Sequence, residues 1–363
     1  MTVAKLDFEL EKVKRVIKER GVSVAGIQLP DGLKRFGTEI ASEISSFGVE
    51  TVISGRSCYG ACDVDVQLLE LVDVLFHFGH SEFLVSSELA DETTGERQES
   101  ATRLLRKAAE RCERLRSVIQ ERCIFLECRA LVDVKPVVAK AAPLLRSNAV
   151  GLVATVQHAH SLEEARTTLK NFGKYVVAGK GENGCVSRPL GKMRAKCEGQ
   201  ILGCDFSAAA SGCEEILLLG SGKFHAEGLS LYLGKKVVVA DPLSGSVEEV
   251  TPKRLMAKRM AVTERASDAR RFGVLLGMKP GQFDLKAALE ILRLARRKGF
   301  KAYLISMDEV TREKLLAFDV DAFVSTACPR LAEDFYDFKK PVMTPLEFGV
   351  VVGERKWDEV FRF

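Results

Sequence analysis

Tryptophan occurs once and histidine five times in 363 residues, so a zinc centre built mainly from imidazoles is poorly supplied. No apolar run approaches the roughly 20 residues that a membrane helix needs; stretches such as 216–219 and 237–240 are far shorter. The first residues, MTVAKLDFELEK, are charged and amphipathic and lack the apolar core and small-residue cleavage site of a secretory leader. No membrane association and a cytoplasmic location are therefore expected. Charge of one sign is scarce too: the net charge of +4 is too small over this length to indicate nucleic-acid binding. Low-complexity tracts are absent, and an apolar share of 46% against 29% charged residues describes a folded globular chain.

Ten cysteines are present. A reducing compartment argues against a disulfide framework and leaves two roles, buried small side chain or metal ligand. The CxxxCxxC pattern of conventional radical S-adenosylmethionine enzymes fails, because Asp65 stands at the third position after Cys58 and Cys62. The stretch LLLGSGKFHAEG at 217–228 lacks the GxxxxGK[ST] spacing and has Phe224 where a magnesium-binding hydroxyl is needed, which argues against nucleotide triphosphate hydrolysis.

Apolar and helical periods alternate along the chain. An amphipathic helix over 4–20 is followed by a strand at 22–29, a helix at 38–47 and a strand at 50–54. The same rhythm returns at 149–156 with 161–172, and at 272–278 with 284–298. Right-handed parallel α/β units are predicted, three in number and alike. VDVLFHFGHS from Val72, CEEILLLGSGKFH from Cys213 and VDAFVSTACPR from Val320 each join an acidic residue to an apolar run ending in small residues. Cys62 lies 11 positions before Asp73 and Cys204 lies 11 before Glu215, whereas Cys328 stands 7 after Asp321, in the place that His80 holds in the first unit.

These positions fall near the carboxyl ends of predicted strands, where open α/β sheets bind ligands. Three such units about a pseudo-threefold axis would bring Cys62, Cys204 and Cys328 to one point. Three thiolates suit either a zinc ion or an iron–sulfur cluster with one position left open, and their spacing in sequence does not choose. The expected divisions are 1–118, 119–262 and 263–363, with charged segments at 88–122 and 252–271 separating the units. Cys112, Cys123, Cys128, Cys185, Cys197 and Cys213 have no repeat-related partner and are expected to be buried or surface thiols. Polar strand-end residues make a second candidate set: Gln28 with Pro30, Asp31 and Gly32, Gln157 with His158, and the glycine-rich turn Gly220, Ser221 and Gly222 with His225. Backbone amides in such a turn can approach an anionic or polar small molecule.

Taken together, QLPDGL, YGACDVD, TVQHAH, GQILGCD, GSGKFHAEG, ACPR and PVMTPLEF resemble the archaeal form of the diphthamide-synthesis family over residues 22–350. The resemblance implies three α/β domains around a central 4Fe-4S cluster held by Cys62, Cys204 and Cys328, with one open iron for S-adenosylmethionine. It further implies a one-electron cleavage that releases methylthioadenosine and a 3-amino-3-carboxypropyl radical, which adds to C2 of a histidine in translation elongation factor 2. A homodimer and an external electron donor come with it, and the second candidate set becomes a binding site for S-adenosylmethionine. Two other readings use the same three thiols: a quinolinate-synthase-like Lewis-acid enzyme, and a cluster-bearing electron-relay or scaffold subunit.

Overall fold

The computed structural model describes residues 6–82, 84–85, 99–179, 193–195, 197–209 and 212–360. Three principal sheets account for the α/β architecture. The first is parallel throughout and contains β1 (Val24–Gln28), β2 (Glu50–Ile53), β3 (Val74–Phe78) and β4 (Cys123–Leu126) in the order β2-β1-β3-β4. The second contains β5 (Ala149–Ala154), β6 (Tyr175–Val177), β7 (Glu215–Leu219), β8 (Val237–Asp241) and β9 (Ser246–Val250), ordered β6-β5-β7-β8-β9 with only β9 antiparallel. The third contains β10 (Arg271–Gly277), β11 (Lys301–Met307), β12 (Ala322–Ser325) and β13 (Val342–Met343), ordered β11-β10-β12-β13 and again parallel.

In every sheet the first strand lies between the second and the third, so the strand order reverses at the same place three times. That reversal opens a crevice beyond the carboxyl ends of β1 and β3, of β5 and β7, and of β10 and β12. The third strands β3, β7 and β12 are buried at every position, as continuous apolar runs in parallel sheets should be. The acidic residue that recurs beside these runs has one task in all units. Asp73 accepts the N–H groups of Ser23 and Val24 at 2.8 Å, Asp321 accepts those of Arg270 and Arg271 at 2.9 and 2.8 Å, and Glu215 accepts that of Ser147 at 2.6 Å. Each carboxylate thereby ties the start of a third strand to the approach of the first. The Val24 and Ser23 amides hold the Asp73 carboxyl below its ordinary range, and the Arg271 side chain does most for Asp321.

The opening helix begins at Leu10, after a two-residue strand, Leu6–Asp7, that pairs antiparallel with Arg129–Ala130. It buries Val13, Val16 and Ile17 against Ile27, Ile44 and Phe76. The division expected at 118 falls inside the helix Glu99–Arg122, and the first sheet takes its fourth strand from beyond it. Val118 and Ile119 of this helix pack on the first unit while Leu105 and Ala108 pack on the third, so it joins two units where a separator was expected. The division at 262 likewise cuts the helix Pro252–Arg265, whose Val262 lies in the core of the third unit. Arg259 of that helix is buried and forks onto Glu347 at 2.7 and 2.5 Å, so the PVMTPLEF motif anchors this helix to the third unit. No helix among the described residues is long and apolar enough to cross a membrane.

Candidate functional site

Cys62 stands in the loop that leaves β2 and ends in the short helix Val66–Leu69, capped by Asp65 through the Leu68 N–H at 3.1 Å. Gln28, the last residue of β1, holds this loop on both sides. Its Nε2 donates to the Asp63 carbonyl at 2.7 Å, and its Oε1 accepts the Asp65 N–H at 3.0 Å. The third unit supplies the rest. Gly281 donates its N–H to the Cys62 carbonyl at 2.9 Å, Gln282 donates from Nε2 to Cys62 Sγ at 3.4 Å, and Lys279 Nζ lies 2.5 Å from Asp63 Oδ2 in a buried ion pair. Burial pushes the Asp63 carboxyl up from its ordinary range, against the pull of Lys279. Gln282 also reaches the segment that carries Cys328: a Cβ on Gly277 would sit 2.7 Å from the Ala327 Cβ and 3.1 Å from the Gln282 carbonyl, so only glycine lets these strand ends close together.

Cys204 follows Gly203, whose missing side chain admits the Phe224 ring; a Cβ there would lie 2.7 Å from it. Phe224 in turn meets the Cys328 segment. Its carbonyl accepts Arg330 Nη2 at 2.7 Å, and the guanidinium lies 4.1 Å from its ring centroid. Asp205 fixes the Cys204 loop from within its own unit, accepting the Ser207 N–H at 3.0 Å, the Ser207 hydroxyl at 2.6 Å and the Ala195 N–H at 3.1 Å. The second unit also grips the first, through Gln157 Nε2 on the Gly79 carbonyl at 2.8 Å and Gln200 Nε2 on Ser81 Oγ at 2.7 Å. The three thiol-bearing loops thus belong to three units and touch through Gln282, Phe224 and Arg330.

All three thiols are half-buried. Among the described residues they are not a set whose sulfurs all lie within 4.8 Å of one another. A tetrahedral zinc with bonds of about 2.3 Å would hold its sulfurs roughly 3.8 Å apart. The three sulfurs are therefore not arranged for a single tetrahedral ion, and three soft thiolates are the donor type that an iron–sulfur cluster takes, one to each iron.

The polar candidates separate into several kinds. Gln28 bonds to the backbone at Asp63 and Asp65 and, through Oε1, to His77 Nδ1 at 2.9 Å, and Gln157 donates to the Gly79 carbonyl, so both position loops. Pro30 packs on Gly79, Asp31 pairs with Lys34 at 2.6 Å on an exposed turn, and Gly32 faces open space. Ser221 donates to Asp241 at 2.6 Å, and Gly220 donates its N–H to the Ala240 carbonyl at 3.1 Å. Gly222, with φ of 77°, precedes the helix Lys223–Leu233. His158 is buried, and its Nδ1 has no partner among the described residues; burial lowers its pKa to about 4, against the pull of Asp241. His225 is lowered to about 4 by burial, then by Arg330 and His80, and His80 to about 4 by burial. Lys279, Gln282 and Arg330 were not among the candidates. The signal available for the first two was the empty third place beside Gln28 and Gln157, at the end of the first strand of the third unit.

Of the cysteines without a repeat-related partner, Cys123, Cys128 and Cys213 are buried, Cys112 is half-buried and Cys197 is exposed. Cys185 lies outside the described residues.

Comparison with known proteins accords with this geometry. The family model for diphthamide synthesis proteins matches residues 29–92 and 109–362. The chain is 32% identical to the 2-(3-amino-3-carboxypropyl)histidine synthase of Pyrococcus horikoshii, over 96% of this chain and 92% of that protein. It is 30% identical to subunit 1 of the Gallus gallus synthase, over 98% of this chain and 79% of that one. Crystal structures of Dph2 from Pyrococcus horikoshii, one of them with a 4Fe-4S cluster, superpose with a TM-score of 0.78 at 30% identity, covering 97% of this chain and 92% of theirs. On this match, which takes in nearly the whole chain, the protein belongs to the diphthamide synthesis family and is a transferase.

Proposed function

We propose that this transferase moves the 3-amino-3-carboxypropyl group of S-adenosylmethionine to C2 of a histidine imidazole in translation elongation factor 2, the first step of diphthamide formation. The observation that carries the reading is the set Cys62, Cys204 and Cys328, one thiol from each unit, on loops that touch one another. These residues would hold a 4Fe-4S cluster with one iron free of thiolate, and when bound that cluster supplies the electron that cleaves the sulfonium. The arrangement of three units about a pseudo-threefold axis belongs to the same reading.

The protein's own residues orient and insulate. Gln282 donates a hydrogen bond to the Cys62 sulfur, which draws charge from the thiolate and favours the reduced state. The Asp63–Lys279 pair and the Gln28 amide fix the loop on which that sulfur stands. Burial keeps His80, His158 and His225 neutral at pH 7, so none presents a positive charge that would repel a sulfonium. The backbone amides in the first turn of the helix Lys223–Leu233, behind Gly222, would take the carboxylate of the methionine end. A homodimer, a cytoplasmic location and an external electron donor complete the reading.

The test is transfer itself. With the reduced protein, elongation factor 2 and S-adenosylmethionine labelled in its carboxyl carbon, label is expected on one histidine of the factor. An unlabelled factor, with cleavage of S-adenosylmethionine intact, would overturn the assignment of the acceptor.

A further inference from the structure

His77 and His80 lie at the carboxyl end of β3, and Cys58 reaches them from the loop beyond β2. His77 is fully buried, its ring centroid 4.9 Å from that of Phe125. The hydrogen bonds settle its tautomer. Gln28 Oε1 already accepts the Asp65 N–H while its Nε2 donates to Asp63, so the 2.9 Å contact between Gln28 Oε1 and His77 Nδ1 requires a proton on Nδ1. His77 Nε2 is therefore a bare lone pair. It points at His80 Nδ1, 2.9 Å away, and lies 3.8 Å from Cys58 Sγ. All three donor atoms fall within 4.8 Å of one another.

A tetrahedral zinc with bonds of about 2.05 Å to nitrogen and 2.3 Å to sulfur needs roughly 3.3 Å between nitrogens and 3.6 Å between nitrogen and sulfur. The two distances from His77 Nε2, 2.9 Å to His80 Nδ1 and 3.8 Å to Cys58 Sγ, differ from these by a few tenths of an ångström. A ligating imidazole whose other nitrogen donates to an oxygen acceptor is the usual outer-shell arrangement of a zinc histidine, and Gln28 provides it.

We propose that Cys58, His77 and His80 form a second metal site, separate from the thiols at 62, 204 and 328, that takes zinc or a similar borderline divalent ion and leaves its fourth position to water. On binding, the Cys58 thiol loses its proton to solvent and the His80 proton moves from Nδ1 to Nε2, so one proton is released per ion. The ion then replaces the direct hydrogen bond between the two imidazoles.

The test uses the full chain with Cys62→Ser, Cys204→Ser and Cys328→Ser, stripped with chelator and titrated with cobalt(II) and then zinc(II). One cobalt per chain with a thiolate-to-cobalt absorption band, displaced by zinc, is the expected result. Adding Cys58→Ala should abolish the band, and adding Gln28→Leu should weaken binding about 10–100-fold. If circular dichroism shows that the triple variant does not fold, zinc is counted by elemental analysis on the wild-type chain with its iron assembled, where one zinc per chain, lost in Cys58→Ala, is expected. A folded chain that binds no ion, or one that binds it equally without Cys58, would show the three residues to be a hydrogen-bonded core cluster and overturn the proposal.

Discussion

Two loops of this molecule carry the same dipeptide, Cys62-Asp63 in the first unit and Cys204-Asp205 in the second, and the two aspartates do opposite things. Asp63 is buried against Lys279 of the third unit, so the place of the Cys62 sulfur depends on how two units meet. Asp205 turns inward to Ser207 and Ala195 of its own unit. The repeat has kept the position of the thiol while changing what secures it. A site assembled between units can thus combine one loop whose aspartate bonds within its own unit with another whose aspartate bonds across units.

The largest expected effect comes from Lys279→Ala, which leaves Asp63 buried without its partner and should cost about 3–5 kcal/mol, read from the urea midpoint. Asp63→Asn together with Lys279→Met should recover much of it. A loss below about 1 kcal/mol would erase the contrast between the loops.

Next comes acid. His158 titrates near 4 when folded and near 6.5 when unfolded, so between these values the unfolded chain binds the extra proton. Its contribution is complete above pH 6.5 and is lost as pH falls toward 4, amounting to roughly 3 kcal/mol over that window. Unfolding free energies of the wild type and His158→Asn, measured across the window, should diverge in slope by close to one proton; parallel curves would show that His158 is not held neutral.

Smaller still, Asp205→Ala should cost about 1–3 kcal/mol by leaving the Ser207 and Ala195 amides unpaired, with no change in the first unit's hydrogen exchange. If exchange near Cys62 rose as well, the Cys204 loop would not be self-contained. The smallest effect is electronic: Gln282→Leu removes a hydrogen bond worth about 1 kcal/mol to the Cys62 sulfur, which for a one-electron couple is roughly 40 mV toward lower potential. An unshifted potential would leave Gln282 with a packing role only.

The strands and the repeated acidic residue were legible from the sequence because a strand buried on both faces is a continuous apolar run, and because Asp73, Glu215 and Asp321 recur at its edge. The unit boundaries were not legible, since the helices Glu99–Arg122 and Pro252–Arg265 have apolar faces whose partners lie in units distant in sequence. Nothing local reveals that Gln28 holds the backbone at Asp63 and Asp65 or that Gln157 holds the Gly79 carbonyl, because these contacts join segments distant in sequence. Lys279 and Gln282 were missed for the same reason: their work is done on another unit's loop.

The central claim is that the thiols of three units act as one centre on S-adenosylmethionine. The most direct test is to reconstitute the chain with iron and sulfide without oxygen, reduce it with dithionite, add S-adenosylmethionine and identify the nucleoside released. Methylthioadenosine is predicted, falling to background in each of Cys62→Ala, Cys204→Ala and Cys328→Ala. Release of 5′-deoxyadenosine, or of no nucleoside from a chain with its full complement of iron, would contradict the account.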